Sequence, residues 1–327
     1  MKSFFKIVAI VIAILIVAVG ALLLYVKMAL PNVGDPEDIK IEYTAERIAR
    51  GEYLANCVSV CMDCHSIRDW SKFSGPIADG TFGQGGQRFD QTVGFPGVFY
   101  SKNITPAGIS RYTDGELFRV ISTGVTKEGR AMFPLMPYPY YGKMDREDIY
   151  SIIAYIRSIP SIKNEVPESK ADFPLNFILN TIPKKAELQK RPDPSDGLAY
   201  GAYMTNASGC IECHTQVDKG QIIPEFAFGG GREFQLPDGS VVRSANISPH
   251  PETGIGKWTR ESFIARFKVY ADSAYSIPSV NPGEFNTLMP WTMYANMKEE
   301  DLAAIFDYLQ TVKPIENGVE KFTAGKR

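Results

Sequence analysis

Two five-residue stretches carry the chemistry of this chain: Cys61-Met62-Asp63-Cys64-His65 and Cys210-Ile211-Glu212-Cys213-His214. Cys-x-x-Cys-His is the attachment pattern of a c-type haem. Both thiols add across the porphyrin vinyl groups, and the spacing sets the two sulfurs along one edge of the ring. The adjacent histidine is then placed to bind the iron. A zinc or redox Cys-x-x-Cys has no need of that histidine. The chain holds five Cys and three His, of which the two motifs absorb four and two. The implied cofactors are two covalently bound haems c, joined through Cys61, Cys64, Cys210 and Cys213, with iron on His65 and His214.

The second axial ligand decides whether such an iron carries electrons or performs chemistry. His/Met ligation fills both axial positions and raises the reduction potential. Met136-Pro137 and Met289-Pro290 lie 71 and 75 residues after their histidines, and a soft thioether suits haem iron. Met136 and Met289 are therefore the expected iron ligands. Met132 and Met293 are the nearest competitors, but neither has a counterpart in the other half. Met144 and Met297 do match, at the start of a helix where packing is the simpler role. His250 lies in the polar turn Pro249-His250-Pro251-Glu252, where an exposed loop histidine is expected; as a ligand it would make the second haem bis-histidine. Cys57, four residues before Cys61, is expected as a small residue facing the haem crevice.

The elements that hold these residues are repeated. Gly51-Glu52-Tyr53-Leu54 matches Gly201-Ala202-Tyr203-Met204, and Asn103-Ile104-Thr105-Pro106 matches Asn246-Ile247-Ser248-Pro249. Gly108-Ile109-Ser110-Arg111-Tyr112-Thr113 matches Gly254-Ile255-Gly256-Lys257-Trp258-Thr259, in the same order at offsets near 150. Such self-similarity reads as a tandem duplication. Each copy is read as a leading helix (45–56 or 197–207), the Cys-x-x-Cys-His motif and Gly/Pro-rich loops. A middle helix capped at Thr113 or Thr259 follows, then the Met-Pro loop, then a closing helix (146–158 or 299–312). Pro160 and Pro314 end the closing helices. This is the layout of a small class I cytochrome c fold. The fold class is thus mainly α: an amino-terminal transmembrane helix followed by two tandem class I cytochrome c domains. The expected boundaries are 1–28 for the anchor, 29–162 for the first domain, 163–196 for an inter-domain belt and 197–327 for the second. Strand signals are sparse, the best at 240–243. The belt holds Phe173, Leu175, Phe177, Ile178 and Leu179, which a free linker would not need, so it is expected to pack across both domains.

A net charge of −2 and 22% charged residues give no reason to invoke nucleic acid. Ile7–Val26 is an unbroken apolar run flanked by Lys2, Lys6 and Lys27, long enough to span a bilayer. An export signal cut at Ala18-Val19-Gly20 is the alternative, but it would leave a greasy new terminus at Ala21–Val26, so the run is read as retained. The early lysines keep the amino end cytoplasmic. Haem c attachment takes place on the outer face of the bacterial inner membrane. The expected address is that membrane, by a single amino-terminal span, with the haem domains in the periplasm.

Glu46-Arg47-Ile48-Ala49-Arg50-Gly51-Glu52-Tyr53-Leu54, the Asn-Ile-Thr-Pro element, Gly254–Thr259, Met136-Pro137-Tyr138 and the belt Asp172-Phe173-Pro174-Leu175-Asn176-Phe177 resemble the cytochrome c subunit of membrane-bound alcohol, aldehyde and gluconate dehydrogenases. The resemblance covers nearly everything after residue 42. It implies a subunit that takes electrons from a dehydrogenase subunit and passes them to ubiquinone, with His65, Met136, His214 and Met289 on the irons. That family carries three haem domains and attaches to the membrane near its carboxyl end, whereas this chain has two and an amino-terminal span. Two-haem anchored carriers between a quinol-oxidising complex and a terminal oxidase share its shape. The expected function is electron transfer without substrate chemistry, as a respiratory carrier or a subunit of a redox complex. The alternative is a dihaem cytochrome c peroxidase, which needs an open distal position and acid/base groups beside it.

Overall fold

A computed structural model describes residues 1–236 and 238–325. Lys2–Ala29 is one long helix with no buried residue and a mean hydropathy of 3.4 in its most apolar stretch. By length and composition it can cross a membrane. The rest is mainly helical, in two halves built alike.

In the first half the leading helix Ala45–Tyr53 crosses the closing helix Arg146–Ser158. In the second, Gly197–Ala207 crosses Glu299–Leu309. Each crossing is made at a glycine. A Cβ on Gly51 would lie 1.8 Å from the Ser151 carbonyl oxygen, and one on Gly201 would lie 2.0 Å from that of Ala304. Both obstacles are helix backbone, which cannot turn aside. Either Gly→Ala change is therefore expected to cost at least the ~1–3 kcal/mol typical of overpacking, read as a lower thermal unfolding midpoint. Alanine would gain helix propensity at these sites, so a raised midpoint would contradict the close crossing. Ile149, Ile152, Ile153 and Ile156 on one closing helix, and Leu302, Ile305 and Leu309 on the other, bury the expected apolar stripes. The middle helices Asp114–Thr123 and Arg260–Lys268 start at capping boxes on Thr113 and Thr259.

Met144 and Met297 are wholly buried core residues, as expected. A three-stranded antiparallel sheet, Glu233–Gln235, Val241–Arg243 and Phe322–Thr323, occupies the one place where a strand was foreseen. The closing helix of the second half stops at Leu309, three residues early. Residues 163–196 are fastened to the first half by polar contacts, and Leu188 packs against the core. Lys170–Ala171 pairs with Gly97–Val98. The Arg191 amide donates to Asp145 (2.7 Å) and its guanidinium to Asp148 (2.6 Å). Two of the segment's large apolar residues are left outside: Phe173 is 80% exposed and Ile178 48%, while Leu179 is buried.

Candidate functional site

Each Cys-x-x-Cys-His motif is a single helical turn, Cys61–Cys64 or Cys210–Cys213, entered from a left-handed residue, Val60 (φ 42°) or Gly209 (φ 63°). Cysteines three apart on a helix share a face, so both sulfurs can meet one edge of a flat ring. All five cysteines are unpaired thiols. The first motif lies ten residues after Gly51, the second nine after Gly201. The extra residue is absorbed by a π-helical turn, Leu54–Val58, which ends the first leading helix earlier than its pattern suggests. The β-branched Val60 then takes the left-handed conformation that glycine takes in the second half, a strained choice.

His65 Nδ1 lies 2.6 Å from the carbonyl oxygen of Lys102, and His214 Nδ1 lies 2.7 Å from that of Ala245. A carbonyl only accepts, so each Nδ1 donates a proton and each Nε2 is left with its lone pair free. Burial holds both imidazoles below their usual pKa, against the pull of these carbonyls, and keeps them neutral. The carbonyls come from the residue just before each Asn-Ile-Thr/Ser-Pro element, which explains that repeat. Asn103 Oδ1 accepts from the Thr105 amide and hydroxyl, while its Nδ2 donates to Ile162. Asn246 does the same with Ser248 and Ile315. Sequence reasoning noted the motif without its task. The signal was available in its recurrence between the haem motif and the middle helix of each copy.

Met136 and Met289 are half-buried and pack against the core. Pro137 (φ −77°, ψ 50°) and Pro290 (φ −80°, ψ 65°) hold the same conformation after them and open the short helices Tyr138–Tyr141 and Trp291–Tyr294. Both Met-Pro segments are touched from the other half: Asn206 Nδ2 donates to the Tyr140 carbonyl (3.0 Å) after Met136, and Ser74 reaches the Met289 loop itself. Ser74 Oγ donates to the Met289 carbonyl (2.6 Å) and accepts from the Trp291 amide (3.0 Å). Asn286 accepts from the Ser74 amide (2.9 Å) and donates to the carbonyls of Trp70 and Lys72. Ser74 is 1% exposed and has a left-handed φ of 63°.

The halves meet through matched pairs. Tyr203 donates to Asp148 (2.6 Å) and accepts from the Asp145 amide; Tyr53 donates to Asp301 and accepts from the Lys298 amide. Ser59 Oγ donates to the Ala207 carbonyl, joining the residues just ahead of the two motifs. Tyr141 and Tyr294 donate to the carbonyls of Ser59 and Ser208. Met293 and Cys57 face one another's element across a cleft of about 550 Å³ between the halves, with Glu52, Asn56, Met62 and Asn296. Cys57 is partly buried against the core and lines this cleft together with residues of the second half. Burial, and after it the Glu52 carboxylate, push its thiol up to about 11, so it is not a nucleophilic thiolate. His250 closes its own turn: Nδ1 accepts from the Glu252 and Thr253 amides.

Among the described residues no cluster of three or more His, Cys, Asp or Glu is assembled around a bare ion. The donor set, a neutral oriented imidazole beside two thiols on one helical face, fits a metal that brings its own ring. A family profile described as cytochrome c matches residues 198–313. Those residues are a cytochrome c domain. The chain is also similar to the cytochrome c subunit of the quinone alcohol dehydrogenase of Gluconacetobacter polyoxogenes, at 25% identity over 84% of this chain and 58% of that one. It is 27% identical to the fructose dehydrogenase cytochrome subunit of Gluconobacter japonicus (81% and 52% covered). The gluconate 2-dehydrogenase cytochrome c subunit of Pantoea cypripedii is 24% identical (81% and 59%). The chain thus spans somewhat over half the length of these relatives.

Proposed function

We propose that this cytochrome is a membrane-anchored dihaem electron-transfer protein, working on the periplasmic face as the electron outlet of a dehydrogenase or as a respiratory link. The observation that carries this reading is the doubled histidine setting: two motif turns, each with its imidazole turned by a carbonyl from the following Asn-Ile-Thr/Ser-Pro loop. Bound haem supplies a one-electron iron couple. The chain's own residues do the rest. Cys61, Cys64, Cys210 and Cys213 tether the rings, and His65 and His214 present Nε2. Met136 and Met289, held by their prolines, fill the opposite positions. The paired contacts around Ser59, Ala207 and the two tyrosine–aspartate pairs keep the two sites at one separation, which a carrier between them requires.

A dihaem peroxidase is disfavoured by the same features. Both halves carry a Met-Pro loop, and His250, the one spare imidazole, spends its Nδ1 on its own turn. The cytochrome c subunits among the relatives favour a dehydrogenase as the partner, and the helix Lys2–Ala29 supports membrane attachment.

The test is intact mass spectrometry of the exported chain. Two haem masses are expected, falling to one in Cys61→Ala/Cys64→Ala and to one in Cys210→Ala/Cys213→Ala. A single haem in the unaltered chain would reduce the first half to a structural partner. Native gels of mild-detergent extracts, stained for haem, then name the partner by co-migration.

A further inference from the structure

The apolar turn of the 163–196 segment exposes Phe173 and Ile178 and has a defined place beside the membrane helix. Asn180 Nδ2 donates to the Val26 carbonyl (3.4 Å), at the last apolar residue before Lys27, and the turns Leu175–Ile178 and Leu179–Thr181 pack against that helix. Ile7–Val26 spans about 30 Å at 1.5 Å per residue, the thickness of a hydrocarbon core. Val26 therefore marks the level where acyl chains give way to headgroups. In the turn that packs there, Phe173, 80% exposed, stands edge-to-face with Phe177 (centroids 6.2 Å), and Ile178 is 48% exposed. Leu179, buried, pins the turn from beneath. Exposed Lys27, Lys184 and Lys185 lie close in sequence to either side of the contact. Asp172, the acidic residue of the turn, is engaged by Gln91 Nε2 at 2.8 Å.

Large apolar side chains left in water are unfavourable, and aromatic residues at headgroup depth are not. We propose that Phe173, Phe177 and Ile178 form a second membrane contact: a seat that enters the lipid interface beside the anchor and holds the first half at a fixed height and tilt. The occupant is the lipid surface itself, continuous with the bilayer around the helix. A single helix leaves its domain free to swing; two contacts fix which face of the protein is turned to the membrane. This inference rests on the reading of Lys2–Ala29 as a membrane span.

The experiment uses the haem-loaded full chain, with Cys57 replaced by Ala, in lipid nanodiscs. Single spin labels are placed at F173C, at L15C in the helix and at E252C, an exposed turn residue. Accessibility to oxygen, which concentrates in lipid, is compared with accessibility to a water-soluble nickel chelate. The expected oxygen-to-nickel ratio at 173 is several-fold above that at 252 and approaches that at 15. A lipid-like ratio at 15 with a water-like ratio at 173 overturns the seat and leaves the anchor intact. Water-like ratios at both overturn the anchor, and the seat with it. A second label at I178C should report the same depth as 173; water exposure there alone would also overturn the shared face.

Discussion

Asp148→Ala is expected to be the most destabilising single change at the contact between the halves. The carboxylate is 1% exposed and accepts from Arg50 through Nε (3.0 Å) and Nη2 (2.9 Å), from Arg191 (2.6 Å) and from the Tyr203 hydroxyl (2.6 Å). Its removal leaves two guanidiniums without their shared counter-charge, one of them, Arg50, mostly buried, and strands a buried phenol. Burial with Asp148 alongside drives the Tyr203 pKa far above its usual value, so it stays a donor at any physiological pH. Breaking a buried pair of this kind costs about 3–5 kcal/mol, a fall in unfolding midpoint on the order of 10 °C for a chain of this size. Asp301 is the matched residue, equally buried at 2%, but it serves only the neutral donors Tyr53 and Tyr200. Asp301→Ala should cost less, about 1–3 kcal/mol, the penalty of unsatisfied neutral groups. Thermal unfolding in mild detergent compares the two. Equal losses would mean that the arginines find water when Asp148 is gone and that the charge is not what binds the halves.

The asymmetry between these two aspartates shows what the sequence could tell and what it could not. Spacing sufficed for the motif turns, the closing helices and their apolar stripes, because those depend on residues within a few turns of one another. The matched Gly51 and Gly201 were visible as a repeat, and close helix crossing is what a glycine facing a neighbouring helix permits. Contacts across the halves were beyond local reasoning. Arg50 stands where the second copy has Tyr200, and only a folded chain reveals that both point at an aspartate of a closing helix. The one-residue difference in spacing before the haem motifs was on the page, yet its outcome, a π turn and a left-handed Val60, depended on the core holding Leu54, Ala55 and Val58 in place. The apolar residues of 163–196 are ambiguous for a related reason: burial inside protein and burial in a lipid interface ask for the same side chains.

The larger redox effect is expected at Met289. Met289→Ala should leave haem covalently attached through Cys210 and Cys213, since those bonds do not involve the methionine. It should remove the methionine-to-ferric-iron charge-transfer band of one haem and lower that haem's potential by a sizeable part of the ~0.8 V range that axial ligands cover. Met136→Ala should do the same to the other haem only. Ser74→Ala tests the brace between the halves. The serine touches no iron ligand atom, but it holds the Met289 carbonyl at 2.6 Å and the Trp291 amide at 3.0 Å from a position nine residues after His65. Losing it leaves the Met289 carbonyl and the Trp291 amide bonded only to each other (2.8 Å) and frees the loop that carries the thioether from the other half, so the band of the second haem should weaken and its potential fall, by less than in Met289→Ala. The Ser74 hydroxyl bonds to the Met289 loop, so the first haem should keep its potential. Potentiometric titration with optical detection resolves the two. A Ser74→Ala chain in which both potentials hold and only the unfolding midpoint drops would make Ser74 a structural contact alone. A shift confined to the second haem would mean that the loop following the first haem's own histidine sets the ligand field of its neighbour. The two sites would then be tuned as one unit rather than as two copies side by side.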